Sequence, residues 1–251
     1  MGEHSLQGKS AVIGGGAKNL GGLISRTFAN DGARVCVHYN SDSTRPDAEA
    51  TVAAIRGSGG EAFAVQADYT RPAEVAAVFA EARKRFGGID IAVNTVGKVL
   101  KKPFLETNEA EYDSMAAINS KAAYFFLQEA GRHLNDRGKI CTIVTSLLAA
   151  YTGLYSTYGG MKAPVEHFTR AASKEFGARG ISVTAVGPGP MDTPFFYGQE
   201  TPEAVAYHTS ASALGGLTKI EDIVPLVRFL VTDGWWITGQ TIFANGGYTT
   251  R

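Results

Sequence analysis

Short apolar runs alternate along the chain with stretches whose apolar residues recur at helical spacing. The runs SAVIGG (10–15), ARVCVHY (33–39), EAFAVQA (61–67), IDIAVN (89–94), KICTIVTS (139–146), ISVTAVG (181–187) and QTIFAN (240–245) are short and apolar, which predicts buried strands. Between them, Val75, Val78, Phe79 and Ala82 share one face of a helix over 72–86, and the other intervening stretches follow the same period. Strand alternating with helix predicts an α/β fold: a doubly wound parallel sheet of about seven strands, covered on both faces, with right-handed crossovers. No linker, repeat or low-complexity tract interrupts residues 1–251, so one domain is expected. The stretch 188–216 mixes Gly, Pro and aromatic residues and reads as a mobile loop inserted after the sixth strand.

Composition narrows the partners. The 24 Lys and Arg balance 24 Asp and Glu, so no net field draws the chain to nucleic acid or to an anionic membrane surface. No apolar run approaches the ~20 residues that a membrane helix needs, and MGEHSLQGKS has no secretory apolar core. The two cysteines, Cys36 and Cys141, fall inside predicted core strands and read as a reduced pair, which fits a cytoplasmic protein. The five histidines show no ligand spacing, so no metal site is expected.

The first strand runs into VIGGGAKNLGG (12–22) and then into a helical pattern. A glycine-rich turn between a strand and a helix lets backbone amides approach a pyrophosphate at the helix N-terminus. Its position after the first strand of an alternating chain makes this a nucleotide-binding turn. The second strand ends in His38, Tyr39, Asn40 and Ser41, with no carboxylate before Asp42 to accept from the ribose 2′-OH of NAD.

Tyr155, Tyr158 and Lys162 follow the fifth strand. Residues four apart on a helix share a face, so Tyr158 and Lys162 can converge on one cleft, with Tyr155 as its wall. An unperturbed phenol titrates near ~10, and a neighbouring ammonium favours the phenolate. Pro164 removes one helical hydrogen bond and predicts a bend near Gly160.

Over nearly its whole length the chain resembles the short-chain dehydrogenase/reductase family, whose fold is of the Rossmann type. The family's Thr-Gly-x-x-x-Gly-x-Gly turn maps onto Gly14, Gly15, Asn19 and Gly21, with Gly14 in place of the Thr and Asn19 in place of the middle Gly. Asn tolerates positive φ better than most residues, so the second change fits the loop. The resemblance implies cofactor contacts at Gly15, Lys18, Asn19, Leu20 and Gly21, at Asn40 and Ser41, and at Asp68 and Tyr69 near the adenine. It extends them to Asn94 and Gly97, to Tyr158 and Lys162, and to Pro188, Gly189 and Thr193 near the nicotinamide. Lys18 stands where NADP-preferring relatives carry a base; with the missing acid, this favours NADP(H) over NAD(H).

The same resemblance implies Tyr158 as proton donor, with Lys162 lowering its pKa and holding the nicotinamide ribose. Ser146 would donate to the substrate carbonyl, with Thr145 as its rival, because strand alternation points the two oppositely. Asn119 would order a water in the proton relay, or else cap a local bend. Leu148, Tyr151, Tyr155 and Phe195 are expected in the substrate pocket, which suits a hydrophobic or aromatic ketone or a 3-oxoacyl thioester. The implied activity is interconversion of a carbonyl and an alcohol by a homo-oligomer, a tetramer or dimer, whose tail ITGQTIFANGG (237–247) lies in the subunit contact. The competing reading is an NADP(H)-binding redox sensor without turnover.

Overall fold

The computed structural model describes residues 5–150 and 152–250. Seven strands form one sheet: β1 (Ser10–Gly14), β2 (Arg34–Tyr39), β3 (Ala62–Gln66), β4 (Ile89–Asn94), β5 (Leu134–Ile143), β6 (Ser182–Pro188) and β7 (Thr241–Ala244). Their order is β3-β2-β1-β4-β5-β6-β7, and each neighbouring pair is parallel. Side chains on a strand alternate between faces, and the core divides accordingly. Ala11 and Ile13 of β1 pack on one side with Val35 and Val37 of β2, while Val12 and Cys36 pack on the other.

Helices α1 (Asn19–Asn30) and α2 (Arg45–Gly57) bury Ile24, Phe28, Val52 and Ile55 against the first face. Helix α3 (Pro72–Phe86) closes the second face with Val75, Val78 and Phe79, the residues whose period predicted it. Beyond β4, helix α4 (Glu109–Met115) passes through a π-helical segment, Ala116–Lys121, into α5 (Ala122–His133), which adds Phe126 to that face. Helix α6 (Ser156–Phe176) continues through Pro164, and Gly160, one turn earlier, has open space where a side chain would stand. Both thiols, Cys36 and Cys141, are free and fully buried in the sheet.

Two elements differ from the sequence pattern. Strand β5 starts at Leu134, ahead of the apolar run, and ends at Ile143. Its register against β4 shifts between Ile89 and Ile91, an irregularity that the polar NDRG stretch does not announce. Thr145 and Ser146 therefore lie beyond the strand, and a 3₁₀ turn (Ser146–Leu148) sets their directions. The stretch 188–216 is partly helical: α7 (Pro194–Tyr197) and α8 (Pro202–Ala211) lie within it, with the Thr201 hydroxyl accepting from Ala204 N at 3.2 Å. Helix α9 (Ile220–Leu230) then returns to the first face through Ile223, Val224 and Val227.

Candidate active site

The chain winds outward in both directions from β1 and β4, so the loops at their carboxyl ends part and leave a crevice. A cleft of about 670 Å³ lies there, reaching from Lys18, Asn40 and Thr44 at one end to Tyr158, Lys162 and Phe195 at the other. Of the residues expected at a cofactor, Gly15, Lys18, Asn19, Leu20, Gly21, Asn40, Asp68, Gly97, Tyr158, Lys162 and Thr193 line it.

The glycine turn is built for close approach. Gly15 has φ +72°, and a Cβ on Gly21 would sit 2.1 Å from the Gly15 carbonyl oxygen, so a side chain there would break the loop. Asn19 takes φ 48°, the left-handed geometry that its amide side chain tolerates. The first turn of α1 holds no acidic residue, which leaves its positive end open to an anion. These donors and the length of the cleft suit a dinucleotide.

Behind the turn stands His38. The N–H of Gly15 donates to His38 Nδ1 at 2.9 Å, and Nε2 lies 2.8 Å from the Ala67 carbonyl oxygen. Nδ1 accepts, so the proton sits on Nε2 and the ring is neutral. Burial presses its pKa down to about 4, against the upward pull of the Ala67 carbonyl and Asp68. The ring stacks on Tyr69, centroids 3.7 Å apart. Sequence reasoning did not single out His38, although a lone polar residue inside the apolar VCVHY was a signal for it.

Several expected contacts face elsewhere. The Tyr69 side chain is 1 % exposed and belongs to the core beneath His38, outside the cleft lining. Asn94 is buried too, and its Oδ1 accepts from Val96 N at 3.0 Å to shape the turn after β4. Ser41 caps the short turn Asp42–Thr44, outside the lining, while Thr44 takes a place in the cleft. Lys18 forms an ion pair with Asp47 at 2.7 Å, both groups well exposed.

Tyr158 and Lys162 sit one turn apart on α6, both buried at the cleft floor. Lys162 Nζ donates to Ile143 O at 3.0 Å and Val96 O at 3.3 Å, and burial lowers its pKa to about 8. Gly97 makes room, since a Cβ there would come 3.0 Å from both Lys162 Nζ and Asn119 Oδ1. Asn119, in the π segment, accepts from Lys98 N at 3.1 Å and donates to Lys98 O at 2.9 Å. A π-turn at this point carries Asn119 inward.

The phenol of Tyr158 departs from the sequence expectation. Burial lifts its pKa to about 12, with the nearby Thr145 hydroxyl pulling the other way. The Ser146 hydroxyl is engaged: it donates to Gly187 O at 3.0 Å and accepts from Asn245 Nδ2 at 3.0 Å. Thr145, the expected rival, accepts from Leu147 N at 3.2 Å through its Oγ1, and its hydroxyl opposes the upward shift of the phenol.

A second cavity of about 80 Å³ adjoins the cleft. Thr145, Ser146, Tyr155, Tyr158, Pro188, Gly189 and Phe195 line it, and its far wall carries His208 and Tyr248. Leu148 packs against the cluster of Ala123, Val144, Val165 and Ala185, while its neighbour Leu147 lines the cavity. Tyr151 lies outside the described residues. Among the described residues, no group of three or more His, Cys, Asp or Glu could hold a metal ion.

The family model described as enoyl-(acyl carrier protein) reductase matches residues 15–249. A short-chain type dehydrogenase/reductase of Picea abies is 32 % identical over 96 % of this chain and 93 % of its own. A hydroxynaphthalene reductase-like protein, Arp2, of Metarhizium brunneum is 34 % identical over 98 % of this chain and 97 % of its own. A crystal structure described as a dehydrogenase from Burkholderia cenocepacia with bound NADP is 64 % identical, with a TM-score of 0.98, over 100 % of this chain and 97 % of that one. The chain belongs to the short-chain dehydrogenase/reductase family.

Proposed function

We propose that the protein is an NADP(H)-dependent oxidoreductase that interconverts a carbonyl and an alcohol. The observation that carries this is the buried Tyr158–Lys162 pair at the floor of a cleft whose other end is the glycine turn. The 64 %-identical dehydrogenase with bound NADP supports the cofactor, and the reductase names of other relatives support the direction.

Gly15, Asn19, Leu20 and Gly21 would hold the pyrophosphate; Lys18, Asn40 and Thr44 the 2′-phosphate; Asp68 the adenine; Gly97, Lys162 and Thr193 the nicotinamide half. When bound, NADPH supplies the hydride. Tyr158 gives its proton to the carbonyl oxygen while the Thr145 hydroxyl donates a hydrogen bond to the same oxygen, neutralising charge as it develops. Lys162, its Nζ anchored on the Ile143 and Val96 carbonyls, would hold the nicotinamide ribose beside Tyr158. Asn119 fixes the Lys98 backbone and, through it, the wall beside Lys162. The apolar residues of the second cavity suit a hydrophobic or aromatic ketone, or a 3-oxoacyl thioester.

We further infer that residues 1–251 act as one domain in a cytoplasmic homo-oligomer, a tetramer or dimer. Trp236, 81 % exposed just ahead of β7, supports a subunit contact through the tail. The activity is tested by following NADPH consumption against a panel of ketones and aldehydes. Carbonyl-dependent oxidation is expected; tight NADPH binding with no turnover on any carbonyl would instead favour the redox sensor.

A further inference from the structure

A chain of polar side chains crosses the far wall of the second cavity. The Glu200 side chain is fully buried and ion-paired with Lys101, which reaches it from the segment beyond β4. Nε2 of His208 lies 3.8 Å from Glu200 Oε2, and Nδ1 lies 2.8 Å from the Tyr248 hydroxyl oxygen. His208 and Tyr248 both line the cavity, beside Leu147, Pro190, Met191 and Phe196. The Phe196 ring meets the imidazole edge-on, centroids 5.5 Å apart, which fixes its plane.

The buried carboxylate decides the tautomer of His208. A lone pair on Nε2 facing Glu200 would be repelled, so the proton belongs on Nε2 and Nδ1 is left as an acceptor. Burial and the Lys101 charge hold His208 below its ordinary pKa, against the opposing pull of Glu200, so the ring is neutral at pH 7. The Tyr248 O–H must then donate to Nδ1. Its oxygen keeps its acceptor capacity, and His208 is the one hydrogen-bond partner recorded for it among the described residues.

We propose that Tyr248, oriented by His208 and Glu200, accepts a hydrogen bond from a hydroxyl group of the substrate remote from its reacting carbonyl. The substrate class is accordingly an apolar ketone, or the alcohol it yields, that carries a second hydroxyl. A substrate with only an ether or carbonyl oxygen at that point would set lone pair against lone pair, which is how the site discriminates. Tyr248 is a specificity residue; His208 and Glu200 position it. The inference rests on the carbonyl-reductase reading, since Tyr158 and Thr145 share the cavity.

The test is equilibrium binding to the full chain saturated with NADP⁺, where no hydride is available and turnover plays no part. The probes are the ring isomers of hydroxylated tetralone, each against its methyl ether. At least one hydroxylated isomer is expected to bind about tenfold more tightly than its ether. Tyr248→Phe should bring that ratio to about one. His208→Phe removes the acceptor of the Tyr248 proton, frees the O–H to donate to the ether oxygen, and should likewise collapse the ratio. Failure of every isomer to exceed its ether by more than about twofold, or a ratio that survives both substitutions, overturns the proposal. A protein that shows the ratio yet consumes no NADPH on any ketone refutes the reductase reading and leaves the hydroxyl subsite standing.

Discussion

The Gly15 N–H donates to His38 Nδ1, so the nucleotide turn is tied to the strand beside it by a side chain that must stay neutral. The sign of the resulting pH dependence follows. The folded pKa of about 4 lies below the ordinary 6.5, so the unfolded chain binds more protons between these values. His38 thus contributes stability that is complete above about pH 6.5 and is lost as pH falls towards 4, on the order of 3 kcal/mol in all. His38→Asn should flatten the pH dependence of the denaturation midpoint in that window relative to the parent. An unchanged slope would show that His38 is not the titrating group.

Tyr158→Phe removes the proton donor and little else, so turnover should fall by about 10²–10⁴ while the NADPH dissociation constant changes only a few-fold. Tyr155→Phe should keep most of the activity. Steady-state rates and cofactor titrations of the two variants check this, and equal losses would mean that the wrong tyrosine has been assigned.

Variants at Thr145 and Ser146 test which hydroxyl serves the substrate carbonyl. Thr145→Ala should lower turnover about a hundredfold, with Thr145→Ser recovering most of it. Ser146→Ala removes a buried hydroxyl shared by Gly187 and Asn245, so it should cost about 1 kcal/mol of stability with a much smaller effect on turnover. Comparing rates with chemical denaturation for the three variants decides it; the reverse pattern would restore Ser146 as the donor.

Lys18 is held by Asp47 across an exposed pair, a weak contact that a doubly charged phosphate should displace. Lys18→Ala should therefore weaken NADPH far more than NADH, and Asp47→Asn should tighten NADPH about two- to fivefold. Asn40→Asp should shift preference towards NADH by repelling the phosphate and accepting from the 2′-OH. Dissociation constants for both cofactors settle the matter, and a parent that binds NADH more tightly would overturn it.

Most of the sheet was legible because buried parallel strands are apolar on both faces: the cores of β1 to β4, β6 and β7 lie within the apolar runs. The start of β5 was not, since Asn135, Asp136 and Arg137 give no apolar signal and enter the strand through a register shift. Spacing alone brought Tyr158 and Lys162 together. It could not choose between Thr145 and Ser146, because a 3₁₀ turn rather than strand alternation aims them. Tyr69 was read as a cleft residue from its neighbour Asp68, but successive side chains leave the backbone in different directions, and its ring enters the core. The effect of Lys162 on the phenol was expected from proximity along the helix; in the fold its ammonium is directed at two backbone carbonyls and burial prevails.

Cys36 and Cys141 have a use that none of the chemistry above requires. Both thiols are fully buried, and burial holds each far on the protonated side at neutral pH, so neither presents a thiolate to an alkylating reagent. They sit on β2 and β5, to either side of the β1–β4 pair at the middle of the sheet. Reaction at either sulfur demands that the sheet open, which makes the pair an internal clock for unfolding. The slowing of their labelling by NADPH would report, without any substrate, how firmly the cofactor clamps the two halves together.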